Sequence, residues 1–117
     1  MKKLIIILAI LNIFSPLHAV VYHFFNGEKL LEAAMEWEKY QASSRQADLM
    51  VVAEYAGYIG AMFDHLSEKQ HICAAEGTTK NDVIKVVTDF VKAKNKGLNL
   101  SGSVIIEDAL YRYYMCK

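Results

Sequence analysis

The only proline in this chain is Pro16, so from Leu17 to Lys117 no residue is obliged to break a helix. Six glycines fall in that span, and strict alternation of apolar and polar side chains is hard to find there. A helical repeat is the pattern such a chain supports, and an all-α domain of about four to five helices is expected.

Pro16 itself sits in a leader. Met1 is followed by Lys2 and Lys3, then by an apolar run from Leu4 to Leu11 that resumes at Ile13 and Phe14, and then by Ser15-Pro16-Leu17-His18-Ala19. A basic start, an apolar stretch too short to span a bilayer and a small residue after a breaker are the parts of a secretory signal peptide. Residues 1–19 are read as that signal and residues 20–117 as the exported domain. The whole chain carries thirteen basic and thirteen acidic side chains; losing Lys2 and Lys3 leaves eleven against thirteen, a net of −2. That balance offers nothing to a polyanion, so nucleic acid is not an expected partner. No later apolar run reaches membrane-spanning length, so no membrane association is expected after cleavage.

A domain this small buries only about 60–65% of the surface its unfolded chain exposes, and such domains often carry a cross-link. Cys73 and Cys116 are the two cysteines of the chain, and an exported address makes a bond between them the default. Closing a loop of that length stabilises by roughly 4 kcal/mol on the chain-entropy account. A catalytic thiol is the alternative that the compartment disfavours.

The first helix is expected to start at Asn26 as its cap and to run to about Ser43, with Leu30, Ala34, Trp37 and Gln41 along one face. From Ala47 to about Leu66 the sequence is apolar on nearly every side, which predicts a central helix buried by its neighbours. Gly57 and Gly60 lie inside it, and close helix packing is the expected reason for them. A polar connection from Ser67 to Thr78 follows. Thr79 then caps a third helix, with Asp82 completing an approximate capping box and Val83, Val86, Val87, Phe90 and Val91 at helical spacing. Ser101 or Ser103 starts the last helix, whose buried face is expected to hold Ile105, Ile106, Ala109, Leu110 and Tyr113. A bond from Cys116 to Cys73 would tie its end to the loop after the central helix.

Little chemistry emerges. Asp64, His65, His71 and Cys73 could be imagined around a metal, yet no regular Cys/His spacing and no His-Glu-x-x-His motif is present, so no metal and no cofactor is expected. His71 and Cys73 are two apart on an extended loop and point in opposite directions, a poor geometry for a nucleophile and its base. Nucleophile elbows, phosphate loops and dinucleotide fingerprints are missing as well. The reading is a protein that is not an enzyme. Tyrosines stand out instead: Tyr111, Tyr113 and Tyr114 crowd the last helix and cannot all face inward. Tyr111 is expected to be the outward ring, available to a protein partner.

With the segments in this order, the chain resembles the Rap/Tai family of type VI secretion immunity proteins. Gly57-Tyr58-Ile59-Gly60-Ala61-Met62-Phe63-Asp64 is similar to the family's Gly-Tyr-Ile-x-Gly segment and its following acidic residue. Ile72-Cys73 with the loop and capped helix after it, and the ending Ile106-Glu107-Asp108-Ala109-Leu110-Tyr111-Arg112-Tyr113-Tyr114-Met115-Cys116, resemble its later elements. Asn26-Gly27-Glu28-Lys29-Leu30-Leu31 matches its opening Gly-x-x-Leu-Leu turn. Two further cysteines frequent in the family are replaced together here, by Ala34 and Tyr55. Ala61 stands where the family's second glycine falls, with Gly60 one place early, and the proline common after the third helix is absent.

The resemblance implies a periplasmic immunity protein that binds a cell-wall-degrading effector, often a peptidoglycan amidase, and covers its active site. It also admits a homodimer. Polar loops between packed helices are the natural inserting elements. The candidate partner-binding residues are therefore Asp64, His65, Glu68 and His71 around the first loop, Lys94 and Lys96 in the second, and Tyr111. A small periplasmic chaperone of the acid-stress type, or a structural protein of the envelope, would leave similar traces in sequence.

Overall fold

The computed structural model describes residues 24–94 and 98–117. The expected signal peptide and its cleavage point lie outside the described residues. Within them are four α-helices and no strand: α1 (Gly27–Gln41), α2 (Leu49–Glu68), α3 (Lys80–Ala93) and α4 (Gly102–Tyr113). Each helix touches the other three, and α1 packs most extensively on α2. The Cys73–Cys116 disulfide closes one end of the bundle.

Each helix begins at a side chain that satisfies its otherwise unpaired first amides. Asn26 Oδ1 accepts from Lys29 N at 2.9 Å, Asp48 Oδ1 from Met50 N and Val51 N, and Ser101 Oγ from Val104 N at 3.4 Å. Thr79 and Asp82 form a full capping box, each accepting from the other's backbone N–H. The expected starts at Asn26, Thr79 and Ser101 are thus found. Glu36 reinforces the α1–α2 turn by accepting from Asp48 N at 2.8 Å while holding Lys39 at 2.6 Å.

The beginnings of α1 and α4 are pinned together. Gly27 N donates to Leu100 O at 3.0 Å, and Gly102 N donates to Phe25 O at 2.8 Å. Both glycines are needed for that approach. A Cβ on Gly27 would lie 2.8 Å from Leu98 Cα and closer still to its carbonyl oxygen, and one on Gly102 would lie 2.8 Å from Phe25 Cβ.

The core is a single cluster in which Leu30, Ala34, Tyr55, Ile59, Val87, Val91, Ile106 and Leu110 have no exposed surface. Ala34 and Tyr55 both belong to it. Tyr55 is the largest of the fully buried side chains, and its hydroxyl pairs with the buried Thr88 hydroxyl at 2.9 Å. The inward face of α3 is turned slightly from the expected one: Ile84 and Thr88 are buried with Val83, Val87 and Val91, while Val86 and Phe90 flank them.

Two expectations need correcting. The central helix is not buried all round: Leu49 and Met50 are 64% and 75% exposed, and Ala53, Gly57 and Ala61 also face outward. Its three neighbours cover one side only. Gly57 consequently has no described atom within 4 Å of where a Cβ would stand, and Gly60 meets only the Lys80 side chain, so close packing inside the bundle does not explain either residue. The second correction concerns the last helix, where Tyr113 is 68% exposed and Tyr114 is buried. The backbone leaves the helix at Tyr114 (φ −107°, ψ 31°), which carries that ring onto Phe63, edge to face at 5.6 Å.

Replacing Gly27 by alanine should cost about 2–3 kcal/mol, because the obstacle is backbone and cannot rotate away. In the isolated single chain Gly57→Ala should be neutral or stabilising, by up to about 1 kcal/mol. Urea titrations followed through Trp37, the single tryptophan, check both. Tyr55 supplies a pH test: burial pushes its phenol above the ordinary 10.0, against the opposing effect of the Thr88 hydrogen bond. A value raised in the folded chain means the stabilising contribution is complete below pH 10.0 and is lost as pH climbs further, since the unfolded phenol ionises first. Tyr55→Phe should lower neutral stability by about 1 kcal/mol and flatten the alkaline fall in Tm, read from melts across that range.

Candidate functional site

At the C-terminal end of α2 the last turns expose Asp64, His65 and Glu68, whose spacing of three and four residues puts them on one face. Gln70 then adopts φ +56°, a left-handed conformation that turns the chain back so that His71 N donates to Leu66 O at 2.9 Å. Ile72 is 3% exposed and plugs the loop into the core. Cys73 follows, its N–H donating to Tyr114 O at 2.8 Å and its sulfur bonded to Cys116, with the two Cα atoms 4.8 Å apart. The loop closes through Gly77 at φ +87° and Thr78, whose hydroxyl donates to Ala75 O.

The loop and α4 also meet through side chains. Tyr111 Oη lies 3.1 Å from His71 Nδ1. Partial burial, and after it the neighbouring Glu107 carboxylate, raise the Tyr111 phenol above its usual value. Tyr111 is therefore half-buried and already engaged, and the outward ring of the tyrosine cluster is Tyr113. Met115, 69% exposed, stands two residues beyond it. Both border a groove of about 660 Å³ that runs past Cys73 to Lys85 and Asp89 on α3.

Five of the expected partner-binding residues thus share one end of the bundle: Asp64, His65, Glu68, His71 and Tyr111. Tyr113, expected on the buried face, is the last residue of α4 and stands exposed, and Met115 lies beyond the helix. Lys94 behaves differently. Its Nζ lies 3.4 Å from Asp108 Oδ2 and 5.0 Å from the Phe90 ring centroid, bracing α3 against α4. Arg112 and, less strongly, Lys94 hold the Asp108 carboxyl below the usual range. Lys96 lies outside the described residues.

A second surface follows the open face of α2. Gly57, Gly60, Ala61 and Asp64 floor a groove of about 480 Å³ whose far wall is Thr78, Thr79 and Lys80. On the other side of Gly57, Glu54, Tyr58 and Phe25 border another, of about 640 Å³. Among the described residues no group of three or more His, Cys, Asp or Glu is placed to hold a metal ion. Neither cysteine is a free thiol, so the His71 and Cys73 pair offers no nucleophile. No described helix is long and apolar enough to cross a membrane. These surfaces present aromatic, thioether and charged groups on a framework tied at both ends.

No curated protein and no solved structure matches the chain. The family model of the Rap1a immunity proteins does, over residues 26–116, a span that takes in the Asn26 cap, all four helices and both cysteines. The chain belongs to the Rap1a immunity protein family.

Proposed function

We propose that the chain is exported to the periplasm by cleavage after Ala19, and that residues 20–117 bind a cell-wall-degrading type VI secretion effector of the peptidoglycan amidase class and cover its active site. The end of the bundle formed by the last turns of α2, the loop after it and the end of α4 is the inhibitory surface. The observation that carries this is the fixing of an exposed polar loop to a helix end by three links: the disulfide, the Cys73 to Tyr114 backbone bond and the His71–Tyr111 contact. A loop held in one shape loses little conformational freedom on docking, which is how a small surface reaches useful affinity. Tyr113 and Met115 supply apolar anchors, and Asp64, His65 and Glu68 supply a polar rim. Occlusion of this kind asks no reaction of the inhibitor.

The test pairs the chain with an amidase encoded beside it. The exported chain should prevent lysis by that amidase directed to the periplasm, and a version without residues 1–19 should not. Tyr113→Ala with Glu68→Lys should weaken binding by about 100-fold with little change in Tm. Full affinity in that variant would remove this end of the bundle from the interface, and protection by the unexported chain would remove the periplasmic reading.

A second contact is favoured by the open face of α2. A small-residue groove admits another helix backbone, and here its charges are self-complementary. Glu54 lies three residues before Gly57, and Lys80 reaches over Gly60, three residues after it, with Cε 3.1 Å from the place of a Cβ. Two copies of α2 crossing about a two-fold axis at Gly57 bring each Glu54 to the other's Lys80, as a self-matching interface requires. Light scattering should give a dimer mass. Glu54→Lys should shift it to monomer, and Glu54→Lys with Lys80→Glu should restore it; a wild-type monomer at high concentration would leave the face to another occupant.

A further inference from the structure

We propose that the Cys73–Cys116 bond is an export-dependent switch for the recognition end: before oxidation the four-helix core is formed while the loop after α2 and the segment after Tyr113 are undocked, and oxidation docks both. This rests on the inhibitor reading above and adds a regulation to the same surface.

The argument is one of attachment. Of the described backbone hydrogen bonds that begin in the loop, Gln70 N to Ser67 O, His71 N to Leu66 O and Thr78 N to Ala75 O are local, and only Cys73 N to Tyr114 O reaches another element. Ile72 is the loop's single buried side chain. The exposed His71–Tyr111 contact adds one further link, and Gln70, held at φ +56°, pulls the other way because a left-handed backbone is strained for any residue but glycine. On the other side of this junction Cys116 lies in a stretch that departs from helical geometry at Tyr114.

The rest of the core does not depend on the bond. Tyr55 with Thr88, Leu30, Ile59, Val87 and Ile106 join α1 to α4 through contacts that involve neither cysteine. Loss of the bond should therefore release one end without melting the bundle, in the manner of a local unfolding unit.

Closing the bond is an exchange. One thiolate attacks a disulfide oxidant, either a thiol–disulfide exchange protein or a small-molecule disulfide, and displaces one of its sulfurs. The second thiolate attacks the mixed disulfide and releases the other sulfur. Two electrons pass to the oxidant, which leaves as two thiols carrying the two protons that the cysteines lose. Cys73 is exposed, so both oxidant and reductant can reach it. A reducing cytosol keeps the pair open and an oxidising compartment closes it. A chain that has not been exported then presents no assembled surface.

Hydrogen exchange read by mass spectrometry tests this on residues 20–117 in three states: oxidised, reduced with a phosphine, and carrying Cys73→Ser with Cys116→Ser. In the reduced and doubly substituted chains, peptides covering 69–78 and 111–117 should exchange about tenfold faster, while those in the middle of α2 and α3 change little. Glutathione disulfide should restore protection to the reduced chain and leave the double variant unchanged. Equal protection of the loop in all three states overturns the switch, and so does uniform loss of protection across α1–α4, which would make the bond a support of the whole fold. The inhibitor reading fails separately: a chain with the expected exchange pattern that gives no protection against the periplasmic amidase keeps the switch and loses the inhibition.

Discussion

The fourth helix is the shortest of the four, twelve residues, and a helix of that length is marginal in water on its own. It is held by the tie at its start and by its buried face, and its finish carries a second junction. At its start, the reciprocal backbone bonds between Gly27 and Leu100 and between Gly102 and Phe25 set its register against α1. Each of the two helices opens with the same device: a side-chain cap, Asn26 or Ser101, followed at once by a glycine that lets the other chain come close. At its finish, Tyr114 leans on Phe63 and Cys116 is bonded to Cys73. With α4 fixed, Ile106 and Leu110 complete the core. With α4 loose, the loop after α2 would have nothing to stand on.

Much of this was legible from residues alone wherever the cause is local. An N-cap side chain reads the amide two or three places ahead of it, so Asn26, Thr79 with Asp82, and Ser101 announce their helices in sequence. The two cysteines were readable from compartment and count. Glycine roles were not, because whether a glycine is needed depends on what crosses it. Gly57 and Gly60 looked like packing sites by their helical setting, whereas Gly27 and Gly102 do the packing, against backbone from a distant part of the chain. Tyr113, expected on the buried face, is the exposed ring, and Tyr114 is buried at the point where the backbone leaves the helix.

The open face of α2 shows the same limit in energetic form. A helix apolar on all sides implies burial on all sides, and that implication holds for the folded and assembled protein without naming what does the covering. Three neighbouring helices cover one side. Leu49, Met50, Ala53, Gly57 and Ala61 leave an apolar strip on the other. Tyr55 makes a contrast within the same helix. Its hydroxyl pairs with Thr88 and its ring fills the interior, so its apolar demand is met inside the chain, as it is for Ala34.

The division between these two faces has a consequence for how an immunity protein can differ in target while remaining one fold. Asp64, His65, Glu68 and His71 are exposed at the end of the bundle, and the loop they border is fastened by Ile72, Cys73 and the His71–Tyr111 contact. Changing the exposed residues alters charge and shape at the rim without disturbing Leu30, Ile59, Val87 or Leu110. Tyr111 is the exception, because its hydroxyl meets His71 while its ring packs against the core, so a substitution there changes both the surface and its support. The proposed recognition surface is specified by few residues, and a covalent tie stands beside them.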